Sequence, residues 1–391
     1  MTPRRSRNAA TTPGGAASEG MLDRRALNRA FLERQMLLSR QKLSAEDAIE
    51  HLAGMQTQAP NPPYIGLWTR LEDFHPDELV RLISGRQAVR IALMRNTIHL
   101  VTARDCLALR PLVQSIFDRD LRTNYSHGQN LKGMNIEALA TAGRELLEEQ
   151  PRTGKELGAL LAERWPDRNP SSLAHAVRGR APLVQVPPRG IWGESGPAAH
   201  TTAESWLGRP VNQDSSLDEM VTRYLAAFGP ATVADAQTWS GLTRLREVFE
   251  RLRPRLRTFQ DENGKELFDL PDAPLPDPDT PAPVRFLPEF DNATLSHADR
   301  NRIIADGHRK VIASKNGMVP GMALVDGFVR GTWKVERTKM EAELVITPLE
   351  PLSKNNRGAL AEEGERLLHF VTDSEAIETN GVRFAVTDGS A

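Results

Sequence analysis

The chain has 391 residues, 39% hydrophobic and 26% charged, with a formal net charge of -1 and one cysteine, Cys106. That length exceeds one ordinary core and points to roughly two to four domains, and the near-neutral balance excludes bulk attraction to polyanions, so any nucleic-acid site must come from local clustering. A lone cysteine excludes an internal disulfide and suits a reducing cytoplasm, and no apolar run is long enough to span a membrane.

Residues 1–20 are small, polar and basic, without the apolar core of a secretory signal, and read as a flexible tail carrying Arg4, Arg5 and Arg7. LDRRALNRAFLERQMLL then has helical spacing. Ser44 is an N-cap for AEDAIEHLAG, with Asp47 at the capping-box position and Gly54 as the stop; Pro76 opens PDELVRLISG, which Gly85 ends. AVRIALM and TIHLVT alternate around Arg95-Asn96 and predict a β-hairpin. After a linking helix near 104–122 the order recurs: helices in NIEALATAGRELLEEQ, RTGKELGALLAERW and SSLAHAVRGR, then LVQV and GIW pairing across residues 187–190. It recurs again in SLDEMVTRYLAAFG, ATVADAQTWSG and LTRLREVFERL, followed by RLRTFQ and KELFDL around a turn at 261–264.

Three helices and a two-stranded wing make the winged form of the helix-turn-helix, a fold used for DNA and also for protein partners. The expected organisation is α+β: a tail at 1–20, three tandem winged helices at 21–125 (with the linking helix), 126–210 and 211–272, and a small antiparallel β-barrel with one helix at 284–391. PDAPLPDPDTPAP, 271–283, is the linker before the barrel; RFL, KVIAS, MALVDGFVRGTWKVE, ELVITPL and VRFAV supply its strands and RGALAEEGERLLHFV its helix.

Common enzyme signatures are absent: no Walker loop, no HExxH, no paired Cys or His at zinc spacing and no GxSxG elbow. No metal or cofactor is expected. What remains is GMQTQAP, with Gln56 and Gln58 one residue apart. The prolines at 60, 62 and 63 predict an extended exit, in which residues i and i+2 face one side and two neutral amides reach one ligand or water. The same spacing also suits a polar loop whose amides bond local backbone. TRLREVFERLRPRLR holds Arg244 and Arg246, and its arginines from 251 to 257 alternate as on one strand face; this reads either as a phosphate-facing row or as a solvated face paired with Glu247 and Glu250. Arg178 and Arg180, at the end of the second candidate recognition helix, read the same two ways.

Taken together, GMQTQAP, MRNTIHLVT, FGPATVADAQTWSGL, RFLPEFDNATLSHADRNRII and VDGFVRGTWKVE resemble, in family order, the AlkZ-like winged-helix DNA glycosylases, whose motif is Gln-Φ-Gln with Φ apolar. The resemblance implies a C-shaped monomer without cofactor that holds duplex DNA and hydrolyses the N-glycosidic bond of an N7- or N3-alkylated purine. Some members release bulky adducts or unhook interstrand crosslinks, including self-resistance enzymes of antibiotic producers. Gln56 and Gln58 occupy the catalytic positions; Thr57 replaces the apolar residue and keeps a methyl group. A sister branch carries aspartate where Gln58 stands. The same carry-over makes Arg95, His99, His297, Arg300, Arg302 and Lys315 candidate DNA contacts, with Asp291 and Asp299 orienting the basic residues of LSHADRNR. The competing readings are a non-catalytic DNA-binding regulator and a protein-interaction scaffold.

Overall fold

The computed structural model describes residues 19–212, 214–312, 317–372 and 378–385. Most of the expected tail, and Lys315, lie outside the described residues.

Helix Arg24–Arg34 starts where the Asp23 side chain accepts from the Ala26 N–H at 2.7 Å. Its polar residues Asn28, Arg29 and Arg34 are buried along with Phe31, because elements from several parts of the chain pack around it. Arg34 forms a buried ion pair with Asp269 (2.6 Å). Gln35, just beyond the helix, donates to the Ala227 carbonyl at 2.6 Å, and Asn28 donates to the carbonyls of Arg302 and Gly327 at 2.7 and 2.8 Å. Such groups are tolerable inside only when satisfied. The proline-rich stretch 271–283 has no helix or strand but is strapped to this same helix region: Arg34 donates to the Pro274 carbonyl (3.1 Å), Arg25 to Pro278 (2.7 Å) and Arg29 to Thr280 (2.6 Å).

The hairpin around Arg95-Asn96 forms as expected, with strand Ala88–Ala92 antiparallel to Ile98–Thr102. It does not stand alone. Strand Ala88–Ala92 also pairs with Leu183–Gln185, joining the second hairpin in a six-stranded sheet whose edges are Met55–Gln56 and Arg152–Thr153. Leu183–Gln185 pairs with Ala199–Thr202 rather than with the expected GIW. Pro187 and Pro188 offer no N–H to a ladder, and Gly190, at φ 100°, turns the chain away, so Ile191 sits in a loop as a core residue.

Another expectation fails at the exit of GMQTQAP. The chain bends at 58–61, and helix Pro62–Trp68 follows, with prolines at its first two positions. Proline blocks a helix interior but suits the first turn, where its missing N–H has no intrahelical partner. The arginines between 251 and 257 share no strand face either: helix Arg246–Leu252 and a short 3-10 turn, Arg253–Arg255, precede strand Arg257–Asp261. That strand pairs with Glu266–Asp269 on one side and runs parallel to Met21–Leu22 on the other.

The last domain is an open sheet, not a barrel. Its order is Arg285–Leu287, Gly321–Val325, Phe328–Arg337, Glu341–Pro348 and Glu378–Phe384, and the two outer strands do not pair with each other. The cause lies in helix Lys354–Thr372. It carries the chain across the sheet, so the final strand enters parallel to Glu341–Pro348. Its Leu360, Leu367, Leu368 and Val371 bury against Phe286, Leu344 and Ile346, covering the face that closure would have hidden. The described part of KVIAS, residues 310–312, is not a strand: residues Asp306–Ile312 are helical, with the His308 and Arg309 N–H groups bonding back to the Ala305 carbonyl at 2.9 and 3.3 Å.

Candidate active site

The motif is placed by the turn before it. Ser44 accepts from the Asp47 N–H at 3.1 Å and starts helix Ala45–His51. Gly54, at φ 95°, closes it with an N–H bond to the Ile49 carbonyl (3.0 Å). A Cβ at Gly54 would lie 2.6 Å from Val101 Cγ1, so the close approach as well as the left-handed backbone requires glycine. Met55 and Gln56 then pair with Leu100 and His99.

Directly opposed residues in an antiparallel pair share a face. Gln56, His99 and Ile91 therefore occupy one face of the sheet, and Met55, Leu100 and Arg90 the other. On the first face, Arg95 Nη2 donates to Gln56 Oε1 at 2.7 Å and to Asn292 Oδ1 at 3.2 Å. Arginine only donates, so this bond fixes which end of the Gln56 amide is oxygen. Arg95 Nη1 also donates to the Trp239 carbonyl at the end of helix Val233–Ser240, and Asn292 Nδ2 donates to the Gly54 carbonyl at 3.1 Å. Among the described residues, every hydrogen-bond acceptor of the Arg95 guanidinium is neutral. Burial, and then neighbouring Arg300, lower its pKa to about 10, so it keeps its charge at neutral pH. Its backbone φ is 57°, an uncommon conformation for a residue with a long side chain, held by the turn.

The opposite face explains Thr57, which is fully buried. Its hydroxyl donates to the Ala59 carbonyl (2.6 Å) and accepts from Arg90 Nη1 (2.6 Å). Arg90 Nη2 donates to the Thr57 carbonyl (3.1 Å), and Nε donates to Gln185 Oε1 (3.0 Å) across the strand junction. The residue that departs from an apolar position is thus the one that a buried arginine grips. Burial and then Arg189 lower the Arg90 pKa to about 10.

Gln56 is buried, whereas Gln58 is exposed and its side chain makes no hydrogen bond among the described residues. Beside Gln56 a crevice is lined by Gln35, Met55, Pro62, Pro63, Arg70 and Asp291, among others. Asp291 is the one acid on its walls. Its two oxygens accept from Arg70 at 2.8 and 2.9 Å, so this carboxylate is committed and not free to act as a base.

The remaining sequence candidates scatter. His99 is buried; the Thr97 carbonyl can only accept, so Nδ1 donates to it (3.0 Å) and Nε2 is a buried acceptor without a partner. Burial and then Arg95 push its pKa down to about 3, so the ring is neutral. His297 is buried edge-on to Phe31, bonded to the Phe228 carbonyl at 3.0 Å, and burial lowers it to about 3. Arg302 is buried and donates to the Pro230 carbonyl at 2.9 Å. Arg300 is half-buried, and its side chain makes no hydrogen bond or ion pair among the described residues. Asp291 serves Arg70, and Asp299 lies 3.6 Å from Lys265, so neither orients the basic residues of LSHADRNR through a hydrogen bond. Arg180 is tied to Asp118 at 2.7 Å and to Glu137; Arg178 is half-buried; Arg244 is exposed; Arg246 is exposed with Glu250 at 3.8 Å. Sequence reasoning passed over Arg90 and Asn292. A charge inside the otherwise apolar AVRIALM was the available signal for Arg90; Asn292 gave none.

The family model for AlkZ-like DNA glycosylases matches residues 49–370. An interstrand DNA cross-link repair glycosylase of Streptomyces sahachiroi is 23% identical over 337 residues, covering 81% of this chain and 88% of that protein. The solved structure of the DNA glycosylase AlkZ from Streptomyces sahachiroi superposes with a TM-score of 0.76 at 20% identity, covering 93% of this chain and 100% of that one, a likeness of fold.

Proposed function

The chain belongs to the AlkZ-like family of DNA glycosylases, and from that membership we propose that it hydrolyses the N-glycosidic bond of N7- or N3-alkylated purines in duplex DNA, bulky adducts and crosslinks included. The relative from Streptomyces sahachiroi carries interstrand cross-link repair in its name, which supports the bulky end of that range. Gln56 and Gln58 are the catalytic pair in this reading. The observation that carries it is the committed state of Asp291, the one acid among the described residues that line the crevice beside Gln56: with Asp291 held by Arg70, two amides are left to act.

The chemistry fits such weak groups. An alkylated N7 makes the base cationic and a good leaving group, so departure needs little acid assistance. Water has to be placed against the anomeric carbon. Gln58 Oε1 accepts one of its hydrogens. Gln56 Oε1 accepts the other on the lone pair that Arg95 leaves open. Positioning of this kind supplies a large part of a barrier, while a true general base adds roughly 10²–10⁴-fold. As neither glutamine carries a charge, lesions that are not already cationic are poor substrates.

The finer organisation is part of the same proposal: a cytoplasmic monomer of three winged helices, 21–125, 126–210 and 211–272, with the sheet domain 284–391 completing a C around an open cleft. Arg300, Arg244 and Arg246 face phosphates, whereas Arg95, His99, His297 and Arg302 brace the frame from inside. Among the described residues no helix is long and apolar enough to cross a membrane.

Incubation with duplex DNA containing N7-methylguanine tests the reading. Free base appears with the unaltered protein. Gln56→Ala and Gln58→Ala abolish its release and leave DNA affinity within a few-fold; full activity in both variants defeats the assignment.

A further inference from the structure

Away from the glutamines, a cavity of about 480 Å³ opens between helices Gly154–Arg164 and Pro170–Arg180 and the strand residue His200. Its floor is apolar, built by Leu147, Leu157 and Leu183 with Ala174. Its rim carries Arg152, Lys155 and Arg178, and no carboxylate is among its lining residues. Arg152 is occupied by Glu149 (2.7 Å) and the Leu146 carbonyl (3.0 Å). The side chains of Lys155 and Arg178 make no hydrogen bond or ion pair among the described residues. Asp120, the acid whose charge acts on Arg178, is taken by His175 Nε2 at 2.8 Å. His175 in turn stacks on His127, with centroids 4.3 Å apart and planes 21° from parallel.

We propose that this cavity is a second binding site, for a flat aromatic anion the size of a nucleoside monophosphate. A cavity of a few hundred cubic ångströms with an apolar floor and a few convergent polar groups has the usual make-up of a small-molecule site. A phosphate alone would leave the leucine floor wet, and an apolar ligand alone would leave two cations without a counter-ion. One molecule with a ring and an anionic group answers both. The ring lies on the leucines beside the stacked imidazoles, and the anion meets Arg178 and Lys155. Burial lowers the Arg178 pKa, and a seated anion opposes that effect. The chemistry has two sources in a protein that works on DNA: a free nucleotide, or the end nucleotide of a strand.

Calorimetric titration of the full chain with dGMP is the test. One dGMP binds per chain, and deoxyguanosine, which lacks the anion, binds far more weakly. Arg178→Met weakens uptake about tenfold or more, and the rim variant Lys155→Ala weakens it by a smaller factor, as loss of charge-assisted hydrogen bonds requires. Lys155→Ala keeps full base release from N7-methylguanine DNA, separating this site from the glutamines. A 5′-phosphorylated single strand that displaces dGMP assigns the site to a strand end, and one that does not assigns it to free nucleotides. No dGMP uptake at millimolar concentration, or uptake unchanged in both variants, overturns the proposal.

Discussion

Replacing Arg90 by methionine isolates what the grip on Thr57 does. The change keeps a long apolar stem and deletes the donors to Thr57 Oγ1 (2.6 Å), the Thr57 carbonyl (3.1 Å), the Ala59 carbonyl (3.3 Å) and Gln185 Oε1 (3.0 Å). Leaving a buried acceptor unsatisfied costs about 1–3 kcal/mol. The Thr57 hydroxyl can still donate to Ala59, and the Gln185 amide can turn toward water, so the loss of stability is expected at about 2–4 kcal/mol rather than the sum over four bonds. The larger effect falls on geometry. The segment between Gln56 and Pro62 has no strand or helix of its own and bends at 58–61, so without Arg90 it moves relative to the strand. A displacement of about 1 Å is enough to cost on the order of 10²-fold in rate. Single-turnover release of N7-methylguanine, at a temperature where circular dichroism shows Arg90→Met fully folded, is expected to fall about 100-fold, with DNA affinity nearly unchanged. Gln185→Ala, which removes one Arg90 partner but none on the motif, retains most of the rate. Wild-type turnover in folded Arg90→Met refutes the reasoning.

Other consequences are as direct. Arg34→Met strands the buried Asp269 carboxylate and lowers stability by about 3–5 kcal/mol in a urea melt, and adding Asp269→Leu restores most of it. His99 and His297 have pKa values near 3 when folded, below the ordinary value near 6.5, so the unfolded chain binds protons more readily. Their contribution is whole above about pH 6.5 and is lost as pH falls toward 3, at about 1.4 kcal/mol per pH unit for each ring; urea midpoints that stay flat from pH 7.5 to 5 contradict this. Gly158→Ala puts a Cβ 2.4 Å from the Pro170 carbonyl oxygen and destabilises by about 1–3 kcal/mol, whereas Gly358→Ala, on an exposed helical position with open space around it, stabilises by up to about 1 kcal/mol; paired melting curves read both signs.

Local chemistry made much of this fold readable from the chain. Ser44 with Asp47, Pro76 with Gly85, and Arg95-Asn96 each announce an end or a turn through bonds within a few residues, and those elements form where expected. Misreadings arose where a local signal had two outcomes or where the partner was remote. Pro62-Pro63 suits an extended exit and a helix start equally, and only the packing of Tyr64 and Leu67 into the core decides for the helix. The five-stranded sheet stays open because of a helix face whose partners lie tens of residues upstream. The glutamine pair was visible as a spacing; its asymmetry was not. Gln56 owes its fixed amide to Arg95, and Thr57 its burial to Arg90, contacts between positions that no short window contains.

The pairing of Ala88–Ala92 with Leu183–Gln185 has a mechanical consequence. Both hairpins and the strand bearing Gln56 belong to one hydrogen-bonded plate, and plates of this kind do not flex along a ladder. Any movement that admits a ligand therefore falls elsewhere, along seams made of side chains. The guanidinium of Arg95, which stitches the plate to Trp239 and Asn292, is one such seam. Parting it would loosen the amide of Gln56 in the same movement, so under the proposed function this seam has to hold while water is placed.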